Sequence, residues 1–122
     1  MRIQHLALGA LRNISIPIEN KQAVIDEEGL VETILKCVSE SNNAHVLYNA
    51  VLLLKILANG GQSFVSKILN SSNCLSEIET LLKKPLQDGQ ERIHYEAARF
   101  LVQLLSTDSI ASYFLVLLIT VI

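Results

Sequence analysis

Residues 5–29 read HLALGALRNISIPIENKQAVIDEEG, and two helices separated by a hard stop account for the whole stretch. Together with Ile3, the residues Leu6, Ala7, Ala10, Leu11 and Ile14 fall at i, i+3, i+4, i+7, i+8 and i+11, the spacing of one buried helix face. Pro17 cannot continue a helix that ends near Ser15, because it has no N–H to give and its ring collides with the preceding turn. Gly29 is the residue a left-handed helix end prefers, so it closes the second segment. Asn13 stands beside the apolar stripe and is turned toward a different surface.

The stripe recurs along the chain. Shifted by 43 residues it falls on Val46, Asn49, Ala50, Leu53, Leu54 and Leu57, and by a further 48 on His94, Ala97, Ala98, Leu101, Val102 and Leu105. Sixteen of these eighteen positions are apolar, Asn49 and His94 excepted, where a chain 50% hydrophobic would give about nine by composition alone. Between the long helices, NKQAVIDEEG and SFVSKILNSS read as short helices, followed by the striped LVETILKCVSE and CLSEIETLLKK. Asn42 and Asn43 suit the N-cap of the second long helix, and Gly60 and Gly61 mark its end. Pro85 with Asp88-Gly89 reads as an enlarged turn before the last long helix. Each period therefore holds three helices, as in a helical repeat array, with long helices expected near 3–15, 43–59 and 91–106.

Five glycines and two prolines in 122 residues leave few breaks, which favours an all-α chain. A net charge of −2, with both signs spread along the sequence, offers no basic stripe for a phosphate backbone, so no nucleic-acid partner is expected. Cys37 and Cys74 lie in or beside apolar helical segments without CxxC spacing or a signal peptide, and read as buried free thiols of a reducing, cytoplasmic compartment. His5, His45 and His94 stand far apart with no HxxxH or Cys/His cluster, so no metal and no cofactor are expected. GxSxG, P-loop, dinucleotide and HExxH patterns are all absent, which argues against an enzyme.

The tail IASYFLVLLITVI, residues 110–122, is the segment most easily taken for a membrane span. As a helix it would rise only about 20 Å against a hydrocarbon core of about 30 Å. Extending it back toward Phe100 draws in Gln103 and Asp108, and an aspartate inside the membrane costs about 2.5–3.5 kcal/mol. A terminal helix or strand-like end packed on the domain, or the accidental end of a truncated product, is the simpler reading. A small membrane-associated adaptor acting through this tail is the alternative.

A period in the low-to-mid forties built from a short, a medium and a long helix resembles the armadillo repeat. The segment HLALGALRNISIPIENKQAVIDEEGLVE is similar to its signature through ALRNIS, NK, VI and Gly. Within that family the chain resembles the C-terminal region of the SmgGDS-type GDP-dissociation stimulators of small GTPases through its ALRN, IP and NK stretch. It runs on more weakly through GLVETILKCVSE, VLYNAVLLLKILA and RFLVQLLS, and so covers about residues 3–106; beyond Thr107 the apolar tail departs from it.

The resemblance implies a right-handed armadillo-type α-solenoid of two and a half three-helix repeats. Residues 1–17 would be the third helix of an incomplete repeat, 18–60 a repeat, 61–108 a repeat with an enlarged turn, and 109–122 an apolar tail. The chain is then expected to be a fragment, marginal by itself, because Ile3, Leu6 and Ala7 lack covering helices. In the family, third helices line a concave groove where asparagines bond the backbone of a bound chain, a role the resemblance assigns to Asn13. Its matches are Ile56 and Leu104, with Gly9, Leu52 and Phe100 one turn earlier. Such a groove is more apolar than an importin-like peptide channel and suits a folded partner, although packing would explain the same residues.

The implied partner is a small GTPase of the Ras or Rho type with a basic tail, bound non-covalently to promote GDP release. A generic armadillo scaffold is the alternative within the same class. Glu19, Asp26, Glu27, Glu28, Glu32 and Glu40 read as a solvated face that could also steer a basic tail. Oligomeric state is left open.

Overall fold

The computed structural model describes residues 2–71 and 73–107, and over them the chain folds entirely as helices. In order they are α1 (Arg2–Ile14), α2 (Ile18–Asp26), α3 (Leu30–Glu40), α4 (Ala44–Ala58), α5 (Gln62–Leu69), α6 (Cys74–Lys83) and α7 (Glu91–Thr107). The expected apolar tail at 109–122 lies outside the described residues. Among the described residues no helix is long and apolar enough to cross a membrane.

The breaks fall where the local chemistry places them. Pro17, extended at φ −66° and ψ 144°, precedes α2, and its carbonyl accepts from the amides of Asn20 and Lys21, both at 3.1 Å. Gly29 takes φ +76° between α2 and α3, a left-handed conformation that a Cβ would strain. The Asn43 side chain accepts from the amides of His45 and Val46 at 2.9 and 3.1 Å, capping α4. The enlarged turn after α6 is tied back to α3 by Lys84, whose ammonium donates to the carbonyls of Ser39 at 3.0 Å and Ser41 at 2.8 Å. Those are the carbonyls a helix leaves unpaired at its C-terminal end, where a cation is favoured.

Helices α1, α4 and α7 lie side by side as one layer, and α3 and α6 form a second layer behind α4 and α7. The short helices α2 and α5 close the ends of the layers against α4 and α7. Central α4 is the spine of the core. Val46, Ala50, Val51, Leu53, Leu54 and Leu57 are all fully buried, and Ile34, Leu35 and Val38 of α3, Val65 and Ile68 of α5 and Ile78 and Leu81 of α6 pack into the same cluster. A chain built of stacked helix triplets around one continuous core is compatible with an α-solenoid.

The stripe expected for α4 is buried at all six positions, but two of the other stripes are corrected. On α1, Leu6 is 59% and Ile14 54% exposed, Ala7 and Ala10 are exposed, and Leu11 is only half-buried. The inward face carries Leu8 and Ser15 instead. The reason is that α1 makes its substantial contacts with α4, so only the flank toward α4 is covered. On α7 the buried residues are Ile93, Glu96, Ala97, Phe100, Leu104 and Leu105, whereas Ala98 and Val102 are exposed. Burial aligns α7 with α4 at a shift of 47 residues, one less than expected: Ile93 takes the place of Val46, Phe100 of Leu53 and Leu104 of Leu57.

Candidate functional site: the outer face of the long-helix layer

One residue of shift turns a helix by about 100°, so the shift of 47 changes which α7 side chains share a face with α1 and α4. Asn13 is matched by Ile56 and Gln103, Gly9 by Leu52 and Arg99, and His5 by Tyr48 and Tyr95. These rows are accessible. Asn13, Tyr95 and Arg99 are exposed, and Leu52, Ile56, Tyr48 and Gln103 are half-buried. Phe100 and Leu104, expected to line the face, have no exposed surface and belong to the core. Arg99 and Gln103 hold the positions that sequence alignment gave them.

Asn13 is exposed near the C-terminal end of α1. Gly9 faces α4, but the approach does not require a glycine: a Cβ built there would lie 3.7 Å from the Asn49 amide nitrogen, an ordinary contact.

Behind the accessible rows the three helices are clasped by polar side chains. Asn49 and Glu96, 7% and 3% exposed, hold equivalent places on α4 and α7, and each receives a cation from the helix before it. Arg12 Nη1 donates to Asn49 Oδ1 at 3.0 Å, and Lys55, the equivalent of Arg12, donates from Nζ to Glu96 Oε2. The Asn49 amide nitrogen also lies 3.2 Å from His5 Nδ1 and donates to the His5 carbonyl at 3.4 Å. Near the C-terminal ends, Gln103 donates to the side-chain oxygen of Asn59. Asn49, which interrupts the apolar stripe of α4, is thus the acceptor of an inter-helix clasp. Glu96 fell outside the expected stripe altogether.

The α7 clasp is surrounded by excess positive charge. Arg92 Nε lies 3.4 Å from Glu96 Oε1, and the guanidiniums of Arg92 and Arg99 stand 5.4 and 5.6 Å from the centre of the exposed Tyr95 ring. The hydrogen bond from Lys55 holds the Glu96 carboxyl below its ordinary 4.5, outweighing burial, which pushes the other way. At neutral pH one carboxylate therefore faces three cations. Beside them a cleft of about 360 Å³ opens between α4 and α7, lined by His45, Tyr48, Gln90 and Arg92 among others.

Net charge differs between the long helices and the rest, although Lys21, Lys36, Lys67, Lys83 and Lys84 are interspersed among the acids of the shorter helices and their turns. The described side chains of α1, α4 and α7 include Arg12, Lys55, Arg92 and Arg99 against Glu91 and Glu96. The acids singled out in the sequence, Glu19, Asp26, Glu27, Glu28, Glu32 and Glu40, are all exposed on or between α2 and α3. Asp26 is held low by hydrogen bonds from Lys67 first and Gln22 second, and the Lys67 Nζ lies 2.6 Å away.

The thiols differ in burial, Cys74 being buried and Cys37, expected to be buried, only half-buried. Cys37 and Cys74 are free; burial, aided by Glu77, pushes the Cys74 thiol up to about 12, and burial with Glu40 raises that of Cys37. Among the described residues no cluster of three or more His, Cys, Asp or Glu could hold a metal ion.

With this geometry in view, the chain is 33% identical over 78 residues to the GTPase-GDP dissociation stimulator vimar of Drosophila melanogaster. The similarity is a distant relation. It covers 64% of this chain and spans 12% of the length of that protein. No protein-family model matches the chain, and no solved structure matches it.

Proposed function

We propose that the chain is a non-catalytic, armadillo-type binding segment of a regulator of small GTPases. The observation that carries the reading is the 33% identity to a GTPase-GDP dissociation stimulator. It is supported by an all-helical stack whose long helices present one accessible face and bury their polar groups as clasps. In this reading Asn13, Gly9, Leu52 and Ile56, with Arg99 and Gln103 on the same accessible rows, meet the partner. Promotion of GDP release by such a surface needs no covalent step. A partner shifts an equilibrium only by its differential affinity, so binding the nucleotide-free GTPase more tightly than the GDP form suffices. The exposed acids of α2 and α3 are the complement to a basic tail of a Ras- or Rho-type GTPase.

The test is retention of the purified chain on an immobilised Rho-type GTPase with a basic tail, stripped of nucleotide in one arm and loaded with GDP in the other. Greater retention by the stripped form is expected. Acceleration of GDP release by the chain alone should be small, because a segment matching 12% of its relative covers few faces of a folded GTPase. Equal retention by both forms, or by neither, would remove the reading.

A further inference from the structure

The face presented by the long helices differs in sign from the rest of the molecule. The chain as a whole is acidic, with a net charge of −2, yet around Tyr95 the cations Lys55, Arg92 and Arg99 converge on the single carboxylate of Glu96. That carboxylate is buried and paired with Lys55 and, at 3.4 Å, with Arg92, so it offsets one of the three charges and leaves the group net positive, with the side chain of Arg99 exposed. Arg92 is 66% exposed at its side chain, and Arg99 and Tyr95 are exposed. The Arg92 and Arg99 guanidiniums both stand within reach of the Tyr95 ring, 5.4 and 5.6 Å from its centre, while Arg92 also pairs with Glu96 at 3.4 Å. On the neighbouring helix at matching heights stand the half-buried Tyr48, Leu52 and Ile56. Cations flanking an aromatic ring, next to an aliphatic strip, are the elements that recognise acidic motifs interleaved with apolar residues.

We infer that the α4–α7 part of this face binds an acidic segment of a partner protein, its carboxylates paired with Arg92 and Arg99 and its apolar side chains set against Leu52 and Ile56. A basic tail is repelled here and belongs on the α2–α3 side. The inference goes beyond the GTPase reading and stands whether or not the partner is a GTPase.

The test uses the 122-residue chain and a short fluorescein-labelled peptide of glutamates interrupted by leucines, with binding followed by fluorescence anisotropy. A matched peptide with lysine for glutamate, and phosphatidylserine vesicles, form the other arms. Saturable binding of the Glu/Leu peptide, weakened by added salt, is expected. The double variant Arg92→Gln with Arg99→Gln should weaken it about tenfold or more, while Lys83→Gln on the opposite layer leaves it unchanged. Both variants should keep the helical circular dichroism of the parent, since Lys55 remains on Glu96. No saturable binding, equal binding of the Lys/Leu peptide, equal binding by the double variant, or binding to vesicles in place of peptide would each overturn the inference. None of these outcomes bears on the nucleotide-free preference, so the two readings fail separately.

Discussion

The Ser15 hydroxyl is fully buried just after α1 and has no hydrogen-bond partner among the described residues. An orphan hydroxyl costs about 1–3 kcal/mol, and the equivalent position at the end of α4 is Ala58, also buried. Ser15→Ala should therefore raise the stability of the chain by about 1 kcal/mol, measured by chemical denaturation; a loss of similar size would mean that the hydroxyl is satisfied. Gly60 makes the opposite case. A Cβ there would fall 2.5 Å from the ring of Phe64, itself buried, so Gly60→Ala must displace a core side chain. A loss of about 1–3 kcal/mol is expected by the same measurement, and an unchanged midpoint would count against the packing described. At this scale the sequence was readable where the cause is local. Pro17, Gly29 and Asn43 act through their own backbone or the next turn. Ser15, Asn49 and Glu96 were not, because what decides their environment lies on another helix.

Between elements, the clasp of Lys55 on Glu96 is the interaction most open to measurement. Glu96 has a folded-state pKa below its ordinary 4.5, so its contribution is fully present above that value and is lost as the pH falls through the lower one. Glu96→Gln should cost about 1–3 kcal/mol near neutral pH, leaving Lys55 with a weaker acceptor. The difference between parent and variant should shrink as the pH is taken from about 7 to about 3. A constant difference across that range would show that the carboxylate's charge plays no part. Register is the element-scale feature that the sequence left ambiguous. The α1-to-α4 spacing came out at 43 because α2 and α3, which lie between them, are joined by short turns, whereas the enlarged turn at 84–90 absorbs extra residues without marking where α7 begins facing inward. Setting His94 opposite Val46 kept most of the apolar matches, and only the burial of Ile93, Phe100 and Leu104 separates that alignment from its neighbour. The α1 stripe misled for a different reason: apolar periodicity identifies a face able to be buried, and α4 covers only part of it.

Across the whole molecule, the accessible face, the clasps and the separation of charge all depend on how α7 is rotated against α4. At the shift of 47, Arg99 and Gln103 look outward and Phe100 and Leu104 close the core; at 48, Phe100 and Leu104 would look outward, Leu101 and Leu105 would close the core, and the cationic patch around Tyr95 would dissolve. The most direct test is a pair of substitutions compared by urea denaturation, Leu104→Ala and Gln103→Ala. Leu104→Ala should cost about 2–5 kcal/mol through lost burial and a cavity, while Gln103→Ala, losing one exposed hydrogen bond to Asn59, should cost no more than about 1 kcal/mol. Equal losses, or a larger loss from Gln103→Ala, would contradict the register and with it the face on which the functional reading rests.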